Sequence, residues 1–82
     1  MISYQLSSHA GDMMRERDIR ELWIRMTFET PDMTEQKLDG TIHYIRAIKE
    51  NGGRYLRVIV NPAFDPALVV TMFFDRGLGR FV

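Results

Sequence analysis

The sequence has 82 residues, a length that predicts a single domain over residues 1–82 with a modest core. Its 11 basic and 11 acidic residues cancel, which argues against a strong nucleic-acid binder of the usual basic kind. The lack of cysteine excludes disulfides, thiolate catalysis and cysteine metal sites, and it favours the cytoplasm. We expect no membrane association, because no apolar run is long enough to span a bilayer and the first residues lack a signal-peptide pattern.

The N-terminal part of the chain predicts two helices. Residues 2–6 alternate apolar and polar side chains, which is typical of a short strand or an extended lead-in. Ser7 or Ser8 can cap a first helix, expected over residues 8–17. A second helix is expected over residues 19–29, and Pro31 ends it.

The hydrophobic period changes after Pro31. Residues 33–38 are weakly strand-like, and strands are expected over residues 41–49, 54–60 and 68–74. The sequence therefore predicts an α+β fold, with two N-terminal helices packed on a three- to four-stranded antiparallel β-meander. The predicted core consists of Met14, Ile19, Leu22, Trp23, Met26, Leu56, Val58, Val60 and Val70. Leu22→Ala or Val58→Ala should cost about 2–4 kcal/mol.

The turn Asn51-Gly52-Gly53 decides how the central hairpin pairs. A two-residue turn places Arg46 opposite Arg57 and brings Tyr44, Arg46, Tyr55 and Arg57 to one face, which suits phosphate contacts and base stacking. Alternatively, this face has no binding role and is simply exposed to solvent, with the aliphatic parts of the arginine side chains lying over the tyrosine rings. A three-residue loop would instead shift the register by one residue and turn Tyr44 toward the core side.

Two residues of the first helix also invite two interpretations. His9 lies in the first turn, where the helix dipole favours its neutral form, and Arg17 lies two turns later beside the same apolar stripe. In the first interpretation, both residues form part of a functional site. In the second, both are structural: His9 forms a hydrogen bond with a backbone carbonyl of a strand, and Arg17 forms an ion pair with Glu21. His43 is expected to be a half-buried structural histidine. No spacing supports a metal site, a phosphate loop or a catalytic triad, so no metal or cofactor is expected.

The opening spacing of His9, Ala10, Met14, Arg17 and Ile19, followed by "GGRYLRVIVN" and "LVVTMFF", resembles a small bacterial family, domain-of-unknown-function family 4258. The resemblance covers roughly residues 4–74. That family has been grouped by similarity with the RelE/barnase-like ribonuclease and toxin superfamily, in which helices pack on a four-stranded antiparallel sheet. The resemblance agrees with the α+β architecture expected from the hydrophobic pattern.

The resemblance implies a metal-independent ribonuclease or a toxin-like RNA-binding protein, with RNA and a cognate antitoxin as partners. Toxins of that superfamily are usually strongly basic, so the neutral charge of this chain argues against a ribosome-bound role. The alternative function is a non-catalytic binding or regulatory module, for which Phe64, Phe73 and Phe81 could support a homodimer. The implied site has His9, Arg17 and Arg57 as catalytic residues, and Tyr44, Arg46, Tyr55 and Thr71 as RNA-binding residues.

These assignments predict a specific geometry. His9 and Arg17 flank a stripe that the first helix must bury, so both should face the sheet rather than open water. Arg57 lies in the middle of its strand and should meet them on the same side of the sheet. An anion bridging the three side chains would then be held by charge-assisted hydrogen bonds.

Overall fold

The computed structural model of the protein describes residues 3–80. Two helices and five strands are present in that part of the chain, so the α+β prediction is confirmed. The sheet has five strands rather than the expected three or four, in the order β1-β5-β4-β3-β2, and it is mixed rather than purely antiparallel, because β1 runs parallel to β5 while the other pairs are antiparallel. The elements are β1 (Tyr4–Leu6), α1 (Ser8–Glu16), α2 (Glu21–Glu29), β2 (Met33–Gln36), β3 (Ile42–Ile48), β4 (Arg54–Asn61) and β5 (Ala67–Phe74).

A serine joins the start of α1 to the sheet. The Ser7 hydroxyl accepts a hydrogen bond from the Ala10 amide (3.0 Å) and donates one to the Val70 carbonyl of β5 (2.9 Å). It therefore caps the helix, satisfying one of its free amides, and fixes the helix against its neighbouring strand. Asp18, with φ 53°, lies in the short link between the helices and reverses the chain before α2.

Helix α2 buries a different face from the one expected. Its buried residues are Trp23, Ile24, Thr27 and Phe28, whereas Leu22 is 57% exposed. Placing Leu22 in the core was therefore wrong, and so was the large cost expected for its truncation. Apolar residues surround much of this helix, and the observed face brings the Phe28 ring into contact with Tyr4 and Tyr44.

The core lies between the helices and one face of the sheet. Leu56, Val58 and Val60, at alternate positions of β4, are buried there as predicted, together with Ile19 and Trp23. Met14 and Met26 are partly buried at its margin. Val70 is only partly buried, and Val69 takes the core position, because the register of β5 against β4 shifts at a bulge between Ile59 and Val60.

The hairpin of β3 and β4 pairs in the alternative register. Ile48 lies opposite Arg54, and Tyr44 lies opposite Val58, so the arrangement with Arg46 opposite Arg57 was wrong. The connection spans residues 49–53 and includes a short 3₁₀ turn, and it ends with Gly52 and Gly53 at positive φ. A shift of one residue turns every side chain of β3 to the other face of the sheet.

Several large apolar side chains are exposed on this fold, among them Leu22, Leu38 and Phe64. Phe64 is half exposed in the loop before β5, and Phe73 is partly buried in β5. Phe81, the third aromatic residue considered for a dimer surface, lies outside the described residues. Between residues 3 and 80, no helix is both long and apolar enough to cross a membrane. The homodimer stays a prediction.

Candidate functional site

The two helices cover one face of the sheet, and the opposite face carries the candidate site. Because side chains alternate along a strand, the neighbours of the core residues Leu56 and Val58 point away from the helices. Directly paired residues of adjacent strands share a face, which extends the assignment to β2, β3 and β5. We call this surface the open face; its central residues are Met33, Glu35, His43, Ile45, Tyr55, Arg57, Ile59, Thr71 and Phe73.

An arginine connects the charged groups of the open face. Arg57 Nε donates to Asp75 Oδ2 at 2.8 Å, and Nη1 donates to Glu35 Oε1 at 2.8 Å. The same Nη1 lies 2.9 Å from His43 Nδ1, and Lys37 Nζ lies 2.9 Å from the Glu35 carboxylate. We call these five residues the Arg57 cluster.

Strand pairing assembles this cluster from distant parts of the chain. Glu35 of β2 lies directly opposite His43 of β3, and His43 lies opposite Ile59 of β4, two residues beyond Arg57. Asp75 directly follows β5. The Arg57 side chain is only 12% exposed, so its charge is held in place beside both carboxylates. Both of these donors of Arg57 are therefore already engaged by carboxylates of the chain.

The cluster shifts the proton affinities of its members. Hydrogen bonds from Arg57 and then Lys37 lower the pKa of Glu35 to about 2, so this carboxylate is ionised at neutral pH. Burial lowers the pKa of Arg57, but hydrogen bonds to Glu35 and Asp75 outweigh burial and leave that pKa raised. Burial, followed by the positive charges of Arg57 and Lys37, lowers the pKa of His43.

The contact with Arg57 also selects a tautomer of His43. A guanidinium can only donate, so Nδ1 of His43 accepts and the proton of the neutral ring lies on Nε2. Protonation of Nδ1 would break this hydrogen bond, which agrees with the lowered pKa. His43 is thus a neutral imidazole beside a fixed cation and an ionised carboxylate.

The structure separates the three residues assigned to catalysis. His9 and Arg17 are both exposed, so the expectation that they face the sheet rather than open water was wrong; they lie on or at the end of α1, which buries Ala10, on the helical side of the sheet. Arg57 points from β4 to the open face, so the expected convergence of the three was wrong. The cause is the alternation of β4: its even-numbered residues from 56 to 60 fill the core, and Arg57 between them must face the other way.

The residues assigned to RNA binding divide between the two faces. Tyr55 and Thr71 lie on the open face with Arg57. Tyr44 lies on the helical side, 4.9 Å from the Phe28 ring by centroids, and the Arg46 guanidinium donates to the Thr30 hydroxyl at 2.7 Å. Their roles in RNA contact stay predictions, but the shared Arg/Tyr surface does not form.

Sequence reasoning did not identify Glu35 and Asp75, and it treated His43 as structural. No local motif links these residues, because they lie 8 to 40 positions apart along the chain and meet only through strand pairing. The one available signal was a charged or imidazole side chain at alternate positions to the apolar core residues of a strand, as with Arg57 between Leu56 and Val58. Among residues 3–80, no group of three or more potential metal-ligand side chains is assembled, and the absence of a metal or cofactor stays a prediction.

Comparison with known protein families identifies a match over most of the chain. A family model described as "Domain of unknown function (DUF4258)" matches residues 6–74, which include both helices and nearly all of the sheet. No curated protein and no solved structure matches the chain.

Proposed function

The chain therefore belongs to the DUF4258 family, and we propose that it is a metal-independent ribonuclease of RelE/barnase-like type that binds RNA on its open face. The observation that carries this proposal is the position of Arg57 Nη1, within hydrogen-bond distance of both the Glu35 carboxylate and the His43 ring. A nearly buried cation, a partly exposed carboxylate and a half-buried imidazole thus lie together on the side of the sheet away from the helices.

Cleavage of RNA without a metal requires three groups. A base must take the proton of the 2′-hydroxyl, a cation must stabilise the charge that develops on the phosphate, and an acid must protonate the leaving 5′-oxygen. The reaction forms a bond between phosphorus and the 2′-oxygen and breaks the bond to the 5′-oxygen. Its products are a 2′,3′-cyclic phosphate and a free 5′-hydroxyl. The Arg57 cluster supplies one residue of each required kind.

In this scheme, Arg57 binds the phosphate and Glu35 is the base. The phosphate would compete with Glu35 for the Nη1 donor, and the Glu35 side chain, which is 38% exposed, has room to move aside. Loss of that hydrogen bond would raise the pKa of Glu35 toward its ordinary value, because Arg57 is the largest cause of its depression. Substrate binding therefore makes Glu35 a better proton acceptor.

His43 is the acid. Burial is the largest cause of the lowered pKa of His43 and persists, but a bound phosphate brings negative charge beside the ring and offsets the charge of Arg57, so this pKa rises from its lowered value. The protonated ring can then donate to the leaving oxygen. Tyr55 lies two residues along β4 on the same face, roughly 7 Å from Arg57 by strand geometry, and is available to stack a neighbouring base.

The two histidines of the chain provide the test. A single-stranded RNA oligonucleotide is incubated with the full chain in the presence of EDTA, and cleavage is compared for the wild type, His43→Ala and His9→Ala, with melting temperatures recorded for all three. We expect His43→Ala to lower the cleavage rate at least about 100-fold, the effect typical of losing a general acid or base. His9→Ala should retain activity, because His9 lies on the other side of the sheet.

Equal reductions of the cleavage rate in His43→Ala and His9→Ala would contradict the proposal, as would a wild type that does not cleave the RNA. Wild-type binding of RNA without cleavage would favour the second candidate, a non-catalytic binding module on the same face. Loss of RNA cleavage in His9→Ala alone would indicate that the catalytic site lies on the helical side of the sheet. The cognate antitoxin stays a prediction that this assay does not address.

A further inference from the structure

A second charged feature lies at one end of the sheet, where α1 ends, β4 begins and the chain leaves β5. A cleft of about 430 Å³ is lined there by four arginines that come from three separate parts of the chain. The remaining lining includes the Phe74 ring and a single carboxylate, Asp75. We call this feature the arginine cleft; its arginines are Arg17, Arg54, Arg76 and Arg80.

The positive charge of the arginine cleft is not balanced by the residues around it. Within residues 3–80, the ion pairs involve other cations, and none includes an arginine of the cleft. The carboxylate of Asp75 is already engaged, with Oδ2 accepting from Arg57 Nε at 2.8 Å and Oδ1 from the Gly77 amide at 2.9 Å. A chain of zero net charge thus concentrates positive charge at one site.

Such a concentration favours an anion. Guanidinium groups that line one cleft repel each other, and a bound anion converts this repulsion into attraction. All four arginines are exposed, so their donors can be reached from solvent. Arginine binds phosphate through two parallel hydrogen bonds, and several arginines around one phosphate suit a group with more than one negative charge.

The size of the cleft points to more than a free phosphate ion. Its volume is more than ten times the roughly 30 Å³ occupied by a water molecule and falls in the range of small-molecule sites. The Phe74 ring adds an apolar surface and is braced by an edge contact with Trp23, with ring centroids 6.0 Å apart. A phosphate that carries a sugar and a base would use both the arginines and the ring.

We propose that the arginine cleft binds the terminal phosphate of an RNA strand. A terminal phosphate carries nearly two negative charges at neutral pH, whereas a phosphate within the strand carries one, so the cleft selects strand ends. This inference rests on the proposed function and adds end recognition to it. Asp75 connects the two sites, because it lines the cleft and accepts from Arg57 of the cluster.

Binding of short 2′-O-methyl RNA oligonucleotides tests the inference, because they cannot be cleaved by attack of the 2′-oxygen. Three fluorescent probes of one sequence carry a 5′-phosphate, a 3′-phosphate or hydroxyls at both ends, and inorganic phosphate serves as a competitor. The variants are Arg54→Gln and Arg76→Gln. The matched control is Arg15→Gln, which removes an equal charge from an exposed arginine paired with Asp12.

We expect the wild type to bind at least one phosphorylated probe about tenfold more tightly than the hydroxyl probe, a difference of about 1.4 kcal/mol. Both cleft variants should lose this preference, and Arg15→Gln should keep it. Equal affinity for all three probes would overturn the inference, as would an unchanged preference in the cleft variants. Binding of inorganic phosphate without any preference for phosphorylated RNA would overturn the assignment to RNA ends.

The proposed ribonuclease activity can fail independently. Cleavage of an unmodified RNA with hydroxyls at both ends depends on the Arg57 cluster and not on the arginine cleft. A wild type that cleaves this RNA but shows no preference for phosphorylated ends would overturn end recognition alone. A wild type that prefers phosphorylated ends but cleaves no RNA would support the cleft and contradict the ribonuclease.

Discussion

Arg57 is the residue on which the open face depends. It is nearly buried, it bonds two carboxylates and an imidazole, and it lies at the centre of the strand order. A buried cation without partners would be strongly unfavourable, so Glu35 and Asp75 have a structural role as well as the chemical role proposed for Glu35. Loss of either carboxylate should therefore lower stability, and the contribution of Glu35 should depend on pH.

The ion pair of Glu35 predicts how stability varies with pH. The pKa of Glu35 is lowered from 4.5 to about 2 in the folded protein, so the unfolded chain takes up this proton first as the pH falls. The stabilisation is therefore present above about pH 4.5 and is lost between there and about pH 2. Urea midpoints measured from pH 2 to pH 7 should show Glu35→Gln well below the wild type at neutral pH and close to it near pH 2.

An exposed glutamate provides the control for that series. Glu29, at the end of α2, forms no ion pair among the described residues. The midpoint of Glu29→Gln should stay close to that of the wild type at each pH. A gap between Glu35→Gln and the wild type that is constant across the range would show that the ion pair with Arg57 contributes nothing.

At the scale of elements, the orientation of α2 gives a sharp prediction. Ile24 is fully buried, whereas Leu22, two residues earlier, is 57% exposed. Ile24→Ala should therefore lower the free energy of unfolding by about 2–5 kcal/mol, and Leu22→Ala by less than about 0.5 kcal/mol. Denaturant unfolding at one pH measures both. Similar losses in the two variants would mean that the helix buries the face expected from the sequence.

Both helices, four of the five strands and the orientation of β4 could be predicted from the sequence, but the orientations of α2 and β3 could not. The period of apolar residues, the serine cap and Pro31 indicated both helices within a few positions of their observed ends. The local hydrophobic pattern is compatible with more than one orientation of α2 and of β3. Helix α2 carries apolar residues on more than one side. The connection after Ile48 could have different lengths, and a change of one residue in the strand register reverses which side chains of β3 face the helices.

The same limit applies to the candidate site. Arg57, Tyr55 and Thr71 do share the open face; the first two belong to β4, whose apolar and polar residues alternate clearly, whereas Thr71 was identified only through the family resemblance. The two proposed acid–base groups, Glu35 and His43, come from β2 and β3, whose positions depend on long-range pairing. Strand β1 was not included in the predicted meander, because it pairs in parallel with β5, a strand that is far away in the sequence.

At the scale of the whole molecule, a chain of zero net charge divides its surface into distinct regions. The helices cover one face of the sheet, the Arg57 cluster lies on the other, and the arginine cleft lies at one end. The net charge of zero argued against nucleic-acid binding in the sequence analysis, but it is a sum over the whole chain and is compatible with a local excess of arginine. A strand held by its end in the cleft would still need its backbone to reach the open face for cleavage.

The central claim is that the open face, and not the helical side, is the functional surface. NMR amide shifts of the full chain, recorded while an uncleavable 2′-O-methyl RNA dinucleotide with hydroxyl ends is added, test it most directly. We expect the largest changes at His43, Arg57 and their neighbours on β3 and β4. Changes confined to α1 and α2 around His9, or no change at RNA concentrations that saturate binding, would contradict the claim.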